Sequence, residues 1–201
     1  MCSAASSDGL LARIEADIEA QLSAKRKRLK HSRAVAKTAV ELADLYGVDR
    51  HDALCAGLLH DYAKAYSNDE LLEKAAELGL DYGCDLKLVL PILHGPIAAR
   101  ELRGRYPELD DAVFSAIERH TVATCDMSPL DMVIFIADGI EPGRPATPDI
   151  ERQRAEVGKV PLEELFLDAL SASIGFVIET KRYLWPGALE SYNRYVLDRN
   201  R

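Results

Sequence analysis

Residues 54–61 read LCAGLLHD, an uninterrupted run of small and apolar residues that ends in His60 and Asp61. A run of this kind at helical spacing predicts a buried helix. Its last two residues therefore bring an imidazole and a carboxylate to the interior, although an unpaired buried carboxylate is very costly. We expect other side chains to converge on this pair and balance it.

Three further histidines begin or end apolar helical stretches. They are His31, His94 at the end of LVLPILH (88–94) and His120 at the end of AVFSAIERH (112–120), and Asp138 likewise ends MVIFIAD (132–138). Helical spacing turns His31 and His120 inward. Neutral imidazoles and carboxylates are ligands of first-row divalent metals, so the set predicts a metal site. The alternative is a buried network of His–Asp hydrogen bonds.

The rest of the chain repeats apolar residues at helical intervals, as in Leu10, Ile14 and Ile18. Gly47 is expected to end one helix, and Asp49, Ser67 or Asn68, and Ser128 are expected to cap others. The pattern predicts helices at about 8–22, 25–46, 50–60, 68–78, 92–104, 109–120, 129–138, 161–182 and 187–198. Since no stretch alternates as a strand would, the fold class is all-α.

With 201 residues, of which 48% are hydrophobic, the chain can bury one sizeable core. We expect residues 1–24 to form an N-terminal helix packed on or preceding the core, and residues 25–201 to form a single helical domain. The Pro- and Gly-rich segment Glu141 to Val160 is predicted to be a long surface loop. The last two helices are then expected to pack back on the first seven.

A formal charge of −8 argues against a sequence-independent nucleic-acid binder, because a phosphate backbone requires a basic face. One basic patch remains, interpreted as either a solvated helix face or an anion-binding surface: Lys25, Arg26, Lys27, Arg28 and Lys30. No apolar run is long enough to span a membrane, and the N-terminus does not resemble a secretion signal. We expect a cytoplasmic protein without nucleic-acid or membrane partners.

The four cysteines, Cys2, Cys55, Cys84 and Cys125, show neither metal nor disulfide spacing and are expected to be reduced thiols. Cys55 lies in the apolar run and is expected to be a small core residue. No local motif places a base beside Cys125, so a catalytic cysteine is not favoured.

In order along the chain, His31, His60–Asp61, His94, His120 and Asp138 resemble the H…HD…H…H…D pattern of HD-domain metal phosphohydrolases. More narrowly, four segments resemble the YqeK-type bacterial symmetrical bis(5′-nucleosyl)-tetraphosphatases: the LAGLLHD-like run followed by Tyr-Ala-Lys, LHGPIAA (93–99), His-Thr followed by Met-Ser, and FIADGIEPGR (135–144). The resemblance covers about residues 25 to 195 and implies an HD-domain helical bundle.

The resemblance also implies a ligand set. His31, His60, Asp61 and Asp138 would hold one metal, and His94, His120 and a shared, bridging Asp61 would hold a second. A di-iron centre is implied, with manganese or cobalt as alternatives.

The implied substrate is a dinucleoside tetraphosphate, cleaved in the middle to two nucleoside diphosphates. Asp61 and Lys64 would be catalytic, and Lys64, Thr121 and Arg144 would contact the substrate. From the residues alone, the alternative for Lys64 is an ordinary exposed lysine, and the alternative for Arg144 is a loop salt bridge with Glu141.

Two other functions remain open: an HD phosphohydrolase of nucleoside mono- or triphosphates, and a regulatory HD module that binds a nucleotide without hydrolysing it. The C-terminal aromatic residues Tyr183, Trp185, Tyr192 and Tyr195 are expected mainly in the core, with base pockets or a homodimer surface as alternatives. A second HD doublet, His51–Asp52, falls in the first turn of a helix after Asp49, where solvent exposure is expected.

Overall fold

The computed structural model describes residues 4–199, so Cys2 lies outside the described residues. The described chain contains ten α-helices and no strand, which confirms the all-α fold class. They are α1 Ala4–Gln21, α2 Arg26–Tyr46, α3 Arg50–Leu59, α4 Asn68–Glu77, α5 His94–Arg105, α6 Asp111–Arg119, α7 Pro129–Ile140, α8 Pro148–Glu156, α9 Leu162–Glu179 and α10 Pro186–Arg199. Short 3₁₀ turns occupy Tyr62–Ala65 and Leu90–Ile92.

The predicted helix ends agree with the backbone. Gly47 ends α2 in the left-handed conformation, at φ 73°. The Asp49 carboxylate accepts from two backbone N–H groups at the start of α3. Ser67 and Ser128 each form a reciprocal capping box, with Glu70 and Asp131 respectively. These caps satisfy N–H groups that a helix start would otherwise leave without partners.

Two glycines allow the helices that carry the histidines to approach closely. A Cβ at Gly57 of α3 would lie 2.5 Å from the Cα of Ala36 in α2. A Cβ at Gly95 of α5 would lie 2.8 Å from the carbonyl oxygen of Glu118 in α6. No side chain fits at either distance, so both contacts require glycine. They bring α2 to α3, and the start of α5 to the end of α6.

The N-terminal helix packs on the core. Ile14, Ile18 and Leu22 are fully buried. On the same helix, the carboxylate of Asp17 accepts from the hydroxyl of Tyr106 at 2.5 Å and pairs with Arg105 at 2.6 Å. Apolar contact and an ion pair together fix α1 against the end of α5.

The prediction of a structureless loop over Glu141 to Val160 is wrong, because this segment contains α8. Thr147 caps the helix by accepting from the N–H of Ile150, and Pro148 occupies the first turn. Arg154 then holds the helix in place by donating to the carbonyl oxygens of Ile140 at 2.9 Å and Glu141 at 2.7 Å. The helix buries little apolar surface, which is why hydrophobic periodicity did not reveal it.

The last helices pack back on the earlier ones, as expected. Phe166 of α9 contacts Phe135 of α7 edge to face, with ring centroids 5.3 Å apart, and contacts Tyr195 of α10 at 5.1 Å. The Tyr195 hydroxyl accepts from the backbone N–H of Met127 at 2.8 Å. Tyr195 is therefore part of the packed structure.

Cys55, Cys84 and Cys125 are unpaired thiols, as predicted. Cys55 is fully buried, and burial raises the pKa of its thiol to about 12. Such a thiol is not a nucleophile near neutral pH. Within residues 4–199, no helix combines the length and apolar character needed to cross a membrane.

Candidate metal centre

Six side chains from five helical segments converge at one point in the core. His31 lies in α2 and Asp138 in the last turn of α7, while the other four residues stand at helix ends. His60 and Asp61 directly follow α3, His94 begins α5, and His120 follows α6. Those four are at most 3% exposed. We call this group the six-residue cluster: His31, His60, Asp61, His94, His120 and Asp138.

The carboxylate of Asp61 divides the cluster in two. Its Oδ2 lies 3.3 Å from His60 Nε2 and 3.6 Å from His31 Nε2. Its Oδ1 lies 3.2 Å from His94 Nε2 and 3.8 Å from His120 Nε2. Each carboxylate oxygen therefore faces its own pair of imidazoles.

Asp138 joins only the first half of the cluster. Its Oδ1 lies 2.9 Å from His31 Nε2 and 3.9 Å from His60 Nε2. Asp138 therefore adds a second carboxylate on the side of His31 and His60.

Each imidazole uses Nδ1 on an oxygen outside the cluster. His60 Nδ1 lies 2.7 Å from the carbonyl oxygen of Gly57, His94 Nδ1 lies 3.0 Å from that of Pro91, and His120 Nδ1 lies 2.7 Å from that of Ile117. A carbonyl oxygen only accepts, so these contacts assign the proton to Nδ1. The Nε2 lone pairs then point into the cluster, which is the usual arrangement of metal-binding histidines.

The fourth histidine is oriented by a carboxylate. His31 Nδ1 lies 3.1 Å from Oε1 of Glu141, and the Glu141 side chain is almost completely buried. Glu141 Oε2 also accepts from the backbone N–H of Gly143 at 2.5 Å. A carboxylate behind a metal-binding imidazole fixes the ring and raises its basicity.

The inward nitrogens lack suitable partners. His94 Nε2 and His120 Nε2 lie 2.9 Å apart, and with both protons on Nδ1 two lone pairs face each other. His31 Nε2 and His60 Nε2 are buried beside carboxylate oxygens, and with the proton on Nδ1 neither nitrogen can donate to those oxygens. Cations between the imidazoles and carboxylates would satisfy all of these atoms. The residues present therefore fit a pair of divalent metals.

Burial and mutual contact set the charges in the cluster. Burial lowers the pKa of His120 to about 3, with His94 and His60 adding to the effect, and burial also lowers the pKa of His94. Burial opposes ionisation of Asp61, yet His60 and His94 hold its pKa well below the ordinary value. Burial lowers the pKa of His60, but Asp61 outweighs it and the net shift is upward. The pKa of Asp138 is likewise lowered, because His31, His60 and Arg144 outweigh its burial.

Two arginines neutralise the carboxylates of the cluster. Arg28 Nη1 lies 2.6 Å from Asp61 Oδ2. Arg144 pairs with the Asp138 carboxylate and donates through Nε to the Asp138 carbonyl oxygen at 2.7 Å. The alternative prediction, a salt bridge between Arg144 and the Glu141 carboxylate, is wrong. Glu141 accepts from the backbone N–H of Arg144, and only through its own backbone oxygen.

Sequence reasoning did not single out Arg28 or Glu141 as site residues. Both lie three residues from a cluster member on the same helical face, Arg28 before His31 and Glu141 after Asp138. That spacing is the signal that could have identified them.

Lys64 and Thr121 lie at the edge of the cluster. Lys64 Nζ donates to the Pro91 carbonyl oxygen at 3.4 Å, and burial lowers its pKa against the opposing effect of Asp61. The lysine is therefore half-buried near the centre and is not an ordinary exposed lysine. Thr121 directly follows His120, and its hydroxyl oxygen is buried without a hydrogen-bond partner in the described chain.

A basic cleft opens beside His31. Its volume is about 920 Å³, and its lining comes from the start of α2 and from residues 141–145. Six basic side chains line it: Lys25, Arg26, Lys27, Arg28, Lys30 and Arg144. The basic patch thus faces a concave surface next to the cluster, which favours the anion-binding interpretation.

An apolar pocket of about 400 Å³ lies beside the cluster, on the side of His94 and His120, and no cluster residue lines it. Its walls come from residues 87–92, from Thr121 to Ala123, from one face of α9 and from residues 182–188. Trp185 is part of the lining; its indole N–H donates to the Tyr82 carbonyl oxygen at 3.1 Å, and its ring contacts the Tyr82 ring edge to face. Pro91 and Thr121 connect this pocket to the cluster.

The second HD doublet lies elsewhere. His51 and Asp52 are partly exposed in the first turn of α3, as predicted, with side chains 34% and 26% exposed. Together with the capping Asp49 they form a group of potential metal ligands near the surface. Exposed acidic groups of this kind are common, and the doublet takes no part in the six-residue cluster.

Comparison with known proteins agrees with this architecture. The model of the HD domain family matches residues 28–143, more than half of the chain, and these residues include every member of the six-residue cluster. A solved structure from Clostridium acetobutylicum, described as a predicted HD superfamily hydrolase involved in NAD metabolism, superposes with a TM-score of 0.81 at 29% identity. The match covers 94% of this chain and 97% of that one. The chain belongs to the HD domain family.

Within that family, two curated relatives share one name, symmetrical bis(5′-nucleosyl)-tetraphosphatase. The protein from Halalkalibacterium halodurans is 34% identical over 176 residues, covering 85% of this chain and 90% of the relative. The protein from Staphylococcus aureus is 32% identical, covering 84% and 87% respectively.

Proposed function

We propose that this chain hydrolyses diadenosine tetraphosphate and related dinucleoside tetraphosphates symmetrically, to two nucleoside diphosphates, in a metal-dependent reaction. One observation carries the chemistry: four imidazoles turn their Nε2 atoms toward the two oxygens of one buried carboxylate, Asp61. The names of the two relatives support the substrate class, a dinucleoside tetraphosphate.

We assign His31, His60, Asp61 and Asp138 to one divalent cation, and His94, His120 and the bridging Asp61 to a second. HD domain hydrolases bind divalent metals, and iron is proposed here, with manganese or cobalt as alternatives. When bound, two such cations would supply Lewis acidity, which polarises a phosphoryl group and makes water easier to deprotonate.

The cationic side chains around the cluster bind the polyphosphate. Arg28 and Arg144 each present a guanidinium beside a cluster carboxylate and line the basic cleft, so both can exchange that carboxylate for phosphate oxygens. Lys64 adds an ammonium near the Pro91 carbonyl oxygen, within electrostatic reach of Arg28 and Arg144. Thr121 supplies a free hydroxyl beside His120. These groups offset the acidic background of the chain, whose formal charge is −8.

The reaction consumes one water molecule. The water oxygen bonds to one of the two central phosphorus atoms, and the bond from that phosphorus to the central bridging oxygen breaks. The electron pair of the broken bond stays on the bridging oxygen, and the protons released from water balance the charge of the new terminal phosphates. Lys64 and the two arginines hold phosphate oxygens that are charged both before and during this step.

Two finer assignments accompany this function. Cytoplasmic placement is supported by the three unpaired thiols, since disulfides are rare in that compartment. A homodimer is supported by exposed large apolar side chains on α9 and α10, including Phe176 and Leu197. Light scattering of the purified protein tests the dimer.

Product analysis tests the proposed function. With diadenosine tetraphosphate as substrate, chromatography is expected to show ADP as the sole nucleotide product, and hydrolysis is expected to stop in chelator and return with iron, manganese or cobalt. AMP plus ATP would contradict symmetrical cleavage. Binding without turnover in metal-replete protein would favour the regulatory module, and faster hydrolysis of nucleoside mono- or triphosphates would favour the other enzyme class.

A further inference from the structure

We propose that the enzyme recognises its symmetrical substrate asymmetrically: the apolar pocket binds one nucleoside, and the basic cleft binds the other half through its phosphates alone. This inference rests on the proposed function and deepens it. It follows from the different chemistry of the two cavities at the ends of the six-residue cluster.

The apolar pocket has the size and lining of a nucleoside site. Its volume of about 400 Å³ falls in the range of small-molecule pockets. Leu170, Ser173, Ile174 and Val177 recur at i, i+3, i+4 and i+7, so one face of α9 forms a wall. Trp185 forms another wall and offers an aromatic surface, which binds a nucleobase by stacking.

A buried polar group without a partner lies between the pocket and the cluster. The Thr121 hydroxyl oxygen is buried without a partner in the described chain, and Thr121 both lines the pocket and follows His120. Pro91 lines the pocket as well, and its carbonyl oxygen contacts His94 Nδ1 at 3.0 Å and Lys64 Nζ at 3.4 Å. A nucleoside in the pocket would therefore direct its phosphates toward His94, His120 and Lys64.

The basic cleft offers no comparable surface for a base. No Trp, Tyr or Phe occurs among the residues that line it within the described chain. Lys27 and Lys30 are exposed and form no ion pair within residues 4–199, so their charges are available to an anion. Phosphates find many partners in this cleft, while a nucleobase finds no aromatic partner.

The cluster connects the two cavities. Its imidazoles form a row, with ring centroids 5.3 Å apart from His31 to His60, 4.9 Å from His60 to His120 and 4.8 Å from His120 to His94. His31, at one end, lines the basic cleft, while the pair at the other end adjoins Thr121 and Pro91 of the apolar pocket. A polyphosphate running along this row places its nucleoside in one cavity and its far phosphates in the other.

The scissile bond is then selected by its distance from a single nucleoside. Adenosine tetraphosphate, which has only one nucleoside, becomes a substrate cleaved between its second and third phosphates. One water is consumed: its oxygen bonds to one of these two phosphorus atoms, the bridging bond to that phosphorus breaks, and ADP and pyrophosphate form.

The experiment compares adenosine tetraphosphate with diadenosine tetraphosphate on the metal-replete full chain. We expect kcat/KM values within about tenfold of each other, with ADP and pyrophosphate from the first substrate. If diadenosine tetraphosphate gives ADP while adenosine tetraphosphate reacts more than about a hundredfold more slowly, recognition needs both nucleosides and the inference is overturned, although the proposed function stands. If diadenosine tetraphosphate gives no ADP, the proposed function itself fails.

A variant that fills the pocket provides the second arm. Ser173→Phe should raise KM for both substrates by more than about tenfold with kcat changed less than about threefold. Ile178→Phe, five residues further along α9 at an exposed position outside the pocket lining, is the control and should leave kcat and KM unchanged. Equal KM values in the two variants would contradict the location of the nucleoside.

Fluorescence gives a readout that does not depend on turnover, because Trp185 is the only tryptophan of the chain. ADP should change the emission of Trp185 saturably in the wild type and in Ile178→Phe, and much more weakly in Ser173→Phe. Pyrophosphate should bind without that change. An equal response to ADP and pyrophosphate would place the base outside this pocket and overturn the inference.

Discussion

His94 and His120 turn their Nε2 atoms toward each other across only 2.9 Å, although each ring holds its Nδ1 against a backbone carbonyl oxygen. Carbonyl oxygens cannot donate, so both protons stay on Nδ1 and the two facing nitrogens are both acceptors. Burial lowers the pKa of both rings, which keeps them neutral near neutral pH. A cation between the two nitrogens would separate these lone pairs and bind both of them.

The two HD doublets of the chain provide an internal comparison. Asp61→Ala removes the carboxylate that faces both pairs of imidazoles and should lower kcat/KM by several orders of magnitude. The double variant His51→Ala, Asp52→Ala alters only a half-exposed first turn, so activity should change less than about threefold and the free energy of unfolding by ~0.5–1 kcal/mol. The measurement is turnover of the two variants side by side. Equal losses of activity would show that the chemistry is assigned here to the wrong doublet.

Glu141 should control metal affinity through His31. Its carboxylate lies 3.1 Å from His31 Nδ1, so Glu141→Ala frees the ring and should weaken metal binding about 10–100-fold. Glu141→Gln retains an oxygen acceptor, so its metal affinity should lie between that of Glu141→Ala and that of the wild type. Competition with a chelator measures the affinities, and Glu41→Ala, an exposed site on α2, is the control. Unchanged metal affinity in Glu141→Ala would remove Glu141 from the site.

Lys64 and Arg144 should act mainly on substrate binding. Both face phosphates that carry charge in the ground state and in the transition state, so Lys64→Ala and Arg144→Ala should raise KM more than they lower kcat. Asp138→Ala, in contrast, should mainly abolish kcat. Steady-state kinetics separates the two effects. A large loss of kcat at unchanged KM in Lys64→Ala would make this lysine a contact of the transition state or leaving group.

Asp17 should stabilise the packing of α1 in a pH-dependent way. The hydrogen bond from Arg105, and then that from Tyr106, lowers the pKa of the Asp17 carboxyl from 3.8 despite partial burial. A lowered folded-state pKa means that this stabilisation is complete above 3.8 and is lost as the pH falls through the folded-state value. Asp17→Asn should therefore cost ~1–2 kcal/mol of unfolding free energy near neutral pH and less in acid. Urea denaturation measures this; a deficit that does not depend on pH would contradict the ionic origin.

The fold and the six-residue cluster could be predicted because both depend on local patterns. Helical spacing turns His31 and His120 inward, and the small residue Gly57 allows α2 to approach α3 within reach of His60. A cap and a proline mark the start of α7 at Ser128. The same signal at Thr147 marks α8, which was missed because the helix lacks an apolar face.

Other parts of the site depend on contacts between distant parts of the chain. Arg28 meets Asp61 from another helix, and Glu141 reaches His31 across the core. The apolar pocket combines segments near Pro91, Thr121 and Trp185 that no sequence period relates. Such contacts become visible only when the helices are packed.

Elemental analysis of the purified chain beside Asp61→Ala tests the central claim most directly. We expect about two divalent metal ions per wild-type chain and fewer than about one in the variant, with hydrolysis lost whenever the metal is lost. A wild-type chain with fewer than about one metal ion that hydrolyses its substrate undiminished in chelator would contradict the account.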